Sequence, residues 1–167
     1  MILLGIDPGT ATTGWGVVEL NKKNIISALD FGKIGTSKDD LMPERLFQIY
    51  NSICHLIEKH KPDALVIEAL FFSSNVKTAI AVGQSRGIYV MAGGKYSIPV
   101  FEYTALEAKM ALTGYGRADK KDVRAKVKEV LELKRDIKPI DASDALALTI
   151  CHVVKHDLYD FNKQLNS

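Results

Sequence analysis

Apolar and polar positions alternate over short stretches in the first third of the chain and then change period. Ile2 to Ile6, Gly14 to Leu20 and Asn24 to Ile34 are β-type runs separated by turn residues, which predicts three strands in an antiparallel meander. From Leu41 onward, Leu46, Ile49, Tyr50, Ile53, Leu56 and Ile57 recur at three- and four-residue intervals. With Pro43 in the first turn, where a missing N–H costs nothing, this predicts one amphipathic helix to about His60. Lys61-Pro62-Asp63 ends it. Ala64 to Ile67 is apolar without polar alternation, as in a central strand covered on both faces, and stops at Glu68. Val76 to Ala92 predicts a second helix and Ile98 to Tyr103 a fifth strand. Ala105 to Leu112 and Lys120 to Leu133 predict two helices around a Gly114-Tyr115-Gly116 turn, and Asp141 to about Lys155 the last helix. The order βββαβαβααα implies an α/β domain: a five-stranded mixed sheet flanked by helices.

A chain of 167 residues, 47% apolar and 25% charged, supports one domain with a full core, which we place at residues 1–158 with a C-terminal tail at 159–167. The composition excludes a disordered or fibrous protein. No apolar run approaches the roughly 20 residues of a membrane helix. The opening MILLGIDPGT reaches Asp7 with no basic segment before it, so it reads as a buried strand rather than a secretion signal. Two cysteines, Cys54 and Cys151, fall in helical patterns and cannot frame a disulfide scaffold, which points to a reducing, cytoplasmic setting.

The net charge of +2 is uneven along the chain. Basic against acidic residues number 7 to 9 over Met1–Leu70, 13 to 7 over Phe71–Lys138 and 2 to 4 over Pro139–Ser167. An acidic centre served by basic surroundings suits a polyanionic substrate and a cationic metal, although lysines solvating helix faces would give the same count.

The acids fall at telling places. Asp7 ends the first strand, Glu68 ends the fourth, and Asp141 and Asp144 open the final helix three residues apart, on one face. If strands one and four are neighbours, Asp7 and Glu68 meet at one sheet edge. Four carboxylates held together repel, and folding tolerates them only with bound dications or retained protons. Oxygen-only donors select hard ions, Mg²⁺ or Mn²⁺. Two such ions about 3.5 to 4 Å apart clamp a scissile phosphate. Singly, the acids have plainer readings: Asp141 as a helix N-cap, Asp144 opposing the helix dipole, Asp7 serving the Asp7-Pro8-Gly9 turn. Glu68 resists such a reading, because a charge straight after Leu65-Val66-Ile67 would be buried without purpose. Asp7-Pro8-Gly9-Thr10 with Gly14-Trp15-Gly16 also resembles the phosphate-cradling first hairpin of actin-like ATPases and sugar kinases, but glycines and threonines here equally make a plain tight hairpin, and this chain is about half the length of those two-lobed proteins.

As a set, Gly5-Ile6-Asp7-Pro8-Gly9, Ile67-Glu68 followed by Phe71 and Asn75, Gly83-Gln84-Ser85-Arg86-Gly87, and Asp141-Ala142-Ser143-Asp144-Ala145-Leu146-Ala147 closely resemble the RuvC family of Holliday-junction resolvases. The match runs from Ile2 to about Val154. The resemblance implies an RNase H-like fold and a homodimeric endonuclease that cuts a four-way DNA junction symmetrically, leaving 5′-phosphate and 3′-hydroxyl ends. It implies that Asp7, Glu68, Asp141 and Asp144 bind two Mg²⁺, with Mn²⁺ as a substitute. In some relatives histidine takes the place of Asp141. Association with the RuvA and RuvB branch-migration proteins follows as an expectation of the same kind.

Other residues gain a reading beside these. The resemblance assigns Phe71 as a wedge that stacks on an unpaired base, and leaves Phe72 to the core. Lys109 and Lys120 match positions close to the scissile phosphate, where either would stabilise developing negative charge, or else solvate a helix face. Lys121, Arg124, Lys126 and Lys128 suit phosphate positioning or solvent. Gly83 and Gly87 leave a flat strip on the second helix, which in this family helps form the dimer. His152 and His156 have the spacing of a metal pair but lie two turns or more beyond Asp144 and lack an intervening Glu, so they read as bystanders, as do His55 and His60. Trp15 reads as core.

Overall fold

The computed structural model describes residues 1–69 and 76–158, the side chains of 76–78 excepted. Strands β1 (Ile2–Asp7), β2 (Thr12–Leu20) and β3 (Ile26–Gly35) form the expected antiparallel meander. Helix α1 (Met42–His60), β4 (Ala64–Glu68), α2 (Val76–Tyr96) and β5 (Val100–Tyr103) follow, then α3 (Ala105–Thr113), α4 (Lys120–Val130) and α5 (Ile140–Lys155). The sheet order is β3-β2-β1-β4-β5, with β4 parallel to both β1 and β5, so the sheet is mixed as the element order requires.

Boundaries shift where backbone chemistry overrides side-chain pattern. Helix α4 stops at Val130 rather than Leu133, because Glu132 takes a left-handed φ of 49°. Helix α2 continues past Ala92 to Tyr96, and β5 begins only after Pro99, which has no N–H to give the ladder.

The sheet is buried on both faces, and the period of two sorts its side chains. Leu4, Ile6, Val17, Leu65 and Ile67 pack with Ile49, Ile53 and Ile57 of α1 and Tyr89 and Ala92 of α2. Leu3, Val18, Ala64 and Val66 pack on the other face with α3, α4 and α5, including Ala108, Val123, Val127, Leu146 and Ile150. Asp7 and Glu68 continue the second series, at even steps from Leu3 and Val66. Their carboxylates therefore belong to the face that α5 covers. Trp15 is half-buried against the first cluster, and both cysteines are buried and free.

Candidate functional site

Register brings the first two acids together. β1 and β4 pair in parallel through Ile6 and Ile67, so Asp7 and Glu68 stand side by side one step beyond, at the same end of adjacent strands. Their carboxyl groups are hydrogen-bonded to each other.

Helix α5 supplies the other two acids, and glycines let it come close. A Cβ on Gly5 would lie 2.2 Å from the carbonyl oxygen of Ala145, and one on Gly14 would lie 2.1 Å from that of Asp141. Neither is possible, so only glycine at both places allows the helix to lie directly on β1 and β2. Gly16 does the same for the Leu146 side chain, at 2.6 Å. The sequence pattern ascribed Gly14 and Gly16 to hairpin formation; their structural use is helix docking. The available signal was that Gly5 shares a face with Asp7. Pro139 occupies the N-cap position of α5 and Asp141 lies inside its first turn, which removes the N-cap reading of Asp141.

Asp7, Glu68 and Asp144 line a cleft of about 250 Å³, together with Ala105, Ala108 and Lys109 of α3, Lys120 and Val123 of α4, and Ala147 and Leu148 of α5. Asp141 lies beside it, near enough to act electrostatically on Asp7. Burial, then the hydrogen bond that the protonated Asp7 carboxyl donates to Glu68, then the charges of Glu68, Asp144 and Asp141 push the Asp7 carboxyl up to about 9. Lys120 Nζ donates to Asp144 Oδ2 at 3.1 Å, and this bond, with the charges of Asp144, Asp7 and Glu68, raises the affinity of Lys120 for its proton. Asp119 positions Lys120 by capping α4, accepting from the Lys121 and Asp122 N–H groups at 2.8 Å each.

As the side chains lie, no three His, Cys, Asp or Glu groups among the described residues form a ready cage for an ion. The donor set nonetheless suits a hard dication. It is all carboxylate oxygen, and burial together with the neighbouring carboxylates keeps a proton on Asp7 near neutrality, a charge deficit that a bound dication would relieve.

Phe71 and Phe72 lie outside the described residues. His152 and His156 sit elsewhere: their Nδ1 and Nε2 atoms lie 3.0 and 3.2 Å from the Tyr103 hydroxyl. On α2, Gly87 is exposed and Gly83 half-buried, so the open strip passes through Gly87. Two residues that sequence pattern did not single out, Thr13 and Tyr89, are buried behind the Asp7 turn and hydrogen-bonded to each other.

Residues 3–152 match the family model described as crossover junction endodeoxyribonuclease RuvC. The protein of that name from Ruminiclostridium cellulolyticum is 47% identical over 156 residues, 93% of each chain. The solved Thermus thermophilus RuvC superposes with a TM-score of 0.86 at 31% identity, covering 95% of this chain and 96% of that one. A second structure, T. thermophilus RuvC in complex with a Holliday junction substrate, gives 0.86 at 27% identity with the same coverage.

Proposed function

The chain belongs to the RuvC family of crossover junction endodeoxyribonucleases and has its RNase H-like fold, and from that membership together with its site we propose that it resolves four-way DNA junctions by hydrolysing phosphodiesters. The observation that carries this reading is the gathering of Asp7, Glu68 and Asp144 in one cleft, with Asp141 beside it and Lys109 and Lys120 on its wall. These are groups from five separate segments, and no local structural need explains their convergence.

Each residue has a part. Asp7, Glu68, Asp141 and Asp144 would hold two Mg²⁺, or Mn²⁺ in their place. Bound there, the ions would neutralise the scissile phosphate and make an attacking water more acidic. Lys120 and Lys109 present cationic heads to the same cleft and stabilise the negative charge that grows on the phosphate oxygens in the transition state. The apolar wall of Ala105, Ala108, Val123, Ala147 and Leu148 limits water around the reacting groups and strengthens those interactions. Phe71 serves as a wedge against an unpaired base.

A junction has two-fold symmetry and needs two cuts, so a homodimer with equivalent sites fits it. The support on the chain is an exposed strip along α2: Ile80 (58% exposed), Gln84, Gly87, Met91 (52%) and Gly94, spaced by four, three, four and three residues. A Cβ at Gly87 or Gly94 would meet nothing within 4 Å, which leaves room for the backbone of a second copy. No helix among the described residues is long and apolar enough to cross a membrane. The reading places the enzyme in the cytoplasm, in recombination and repair, acting after RuvA and RuvB have moved the junction.

The test is a labelled synthetic four-way junction beside a linear duplex of the same sequence, with Mg²⁺. Paired nicks at symmetric positions, restricted to the junction and sealable by ligase without prior end treatment, are the expected products. Binding of the junction without any nicks would instead indicate a junction-binding protein.

A further inference from the structure

Thr13 on β2 and Tyr89 on α2 have no place in the carboxylate cluster, yet both are buried, at 1% and 0% exposure. The Tyr89 ring fills the core among residues such as Leu4, Ile6, Val17 and Ile67. Phenylalanine would fill that space equally, and a buried hydroxyl is costly unless paired. What the hydroxyl adds must therefore lie in its partner.

That partner fixes a direction. Thr13 Oγ1 donates its single proton to the carbonyl oxygen of Gly9 at 2.7 Å. It must then accept from the Tyr89 phenol, which lies 2.5 Å away. The chain of bonds runs from Tyr89 through Thr13 to Gly9, two residues after Asp7 in the segment that joins β1 to β2. Gly9 is itself tightly enclosed, since a Cβ there would lie 2.1 Å from the carbonyl oxygen of Thr12.

We propose that Thr13 and Tyr89 are positioning residues for Asp7, forming a hydrogen-bonded chain from α2 to the Gly9 carbonyl that fixes the turn after β1. This rests on the reading of Asp7 as part of the cleavage centre. It also ties that centre to α2, the helix that carries the open strip for a second copy.

Three variants of the full chain test it: Thr13→Val, which keeps the shape and removes the hydroxyl; Thr13→Ser, which keeps the hydroxyl; and Tyr89→Phe. At saturating junction and Mg²⁺, the turnover rate should fall about tenfold or more in Thr13→Val and Tyr89→Phe, as small misplacements of catalytic groups do. Junction affinity and dimer formation should stay within about twofold, Thr13→Ser should keep at least about half the rate, and the double variant should be no slower than Thr13→Val, because the pair acts as one unit. A readout without cleavage is the amide ¹H–¹⁵N spectrum, in which the Gly9 and Thr10 resonances should shift in both hydroxyl-deleted variants, because the Gly9 carbonyl loses its donor in Thr13→Val and that donor loses its partner in Tyr89→Phe.

Wild-type rates in Tyr89→Phe and Thr13→Val, or Gly9 and Thr10 amides unchanged in both, would overturn the proposal. If Thr13→Val does not fold, Tyr89→Phe alone decides by the same two readouts. If the wild-type chain fails to cut junctions, the cleavage reading falls, and the amide spectra still decide whether the chain of bonds holds the turn.

Discussion

Gly14 lies directly under Asp141: a Cβ on Gly14 would sit 2.1 Å from the Asp141 carbonyl oxygen and 2.8 Å from the Asp141 Cβ. The position of one of the four acids is thus set by the absence of a side chain on a strand more than a hundred residues earlier. Gly14→Ala should force the start of α5 away from the sheet. Overpacking of this kind costs about 1–3 kcal/mol, and displacement of Asp141 and Asp144 should reduce cleavage about a hundredfold. Gly35→Ala, where an added Cβ meets nothing within 4 Å, is the control and should leave the rate unchanged. Thermal melts and single-turnover cleavage of the two variants check this.

Asp7 makes stability depend on pH. Its carboxyl is pushed up to about 9 in the folded chain, from 3.8 when free. Between those values the folded state holds a proton that the unfolded state has released. Stability therefore falls as pH rises from about 4 toward 9, and the full cost is present above about 9. Asp7→Asn removes this dependence. In chelator-treated buffer the variant should melt with the wild type near pH 4 and above it at pH 8, by about 3 °C or more, equivalent to about 1 kcal/mol for a chain of this size. Adding Mg²⁺ should stabilise the wild type more than the variant. Parallel melting curves across the range would contradict the assignment of a proton to this cluster.

Lys120 separates rate from stability. Its side chain is 72% exposed while its ammonium reaches Asp144. An ion pair so open contributes at most about 1 kcal/mol to folding, yet its charge faces the place where phosphate oxygens would gain negative charge. Lys120→Ala should melt within about 3 °C of the wild type and cut about a hundredfold more slowly at saturating junction. A melt lowered in proportion to the loss of rate would show that the lysine only supports the fold.

On α2, Met91→Asp places a charge on the exposed strip without touching the core, since Met91 is 52% exposed. The variant should sediment as a monomer, keep its secondary structure, and lose the coupling of the two nicks. A dimer that persists would place the interface elsewhere.

Much of this architecture is legible in the sequence because local pattern decides it. The change from period two to period three or four at Leu41 marks α1, and the unbroken apolar run Ala64–Ile67 marks a strand covered on both faces, as β4 is. The acids are legible because they interrupt or end such runs: Glu68 closes β4, and Asp7 closes β1. Parallel pairing of β1 with β4 then follows from the fold class, and it is what puts them side by side. Docking of α5 is not legible in the same way, since Gly14 and Gly16 satisfy a hairpin locally and their contact with Asp141 and Leu146 spans most of the chain. The Thr13–Tyr89 bond joins residues 76 apart, and no spacing rule connects them. The end of α4 is not legible either, because the left-handed Glu132 carries no glycine or proline signal.

Whether the four carboxylates of β1, β4 and α5 work as one cleavage centre is decided by Glu68→Gln. The change keeps the side chain's size and removes its charge. Measured on one labelled four-way junction with Mg²⁺, the variant should bind as tightly as the wild type and produce no paired nicks. Cleavage at the wild-type rate by folded Glu68→Gln would show that Glu68 has no part in the chemistry.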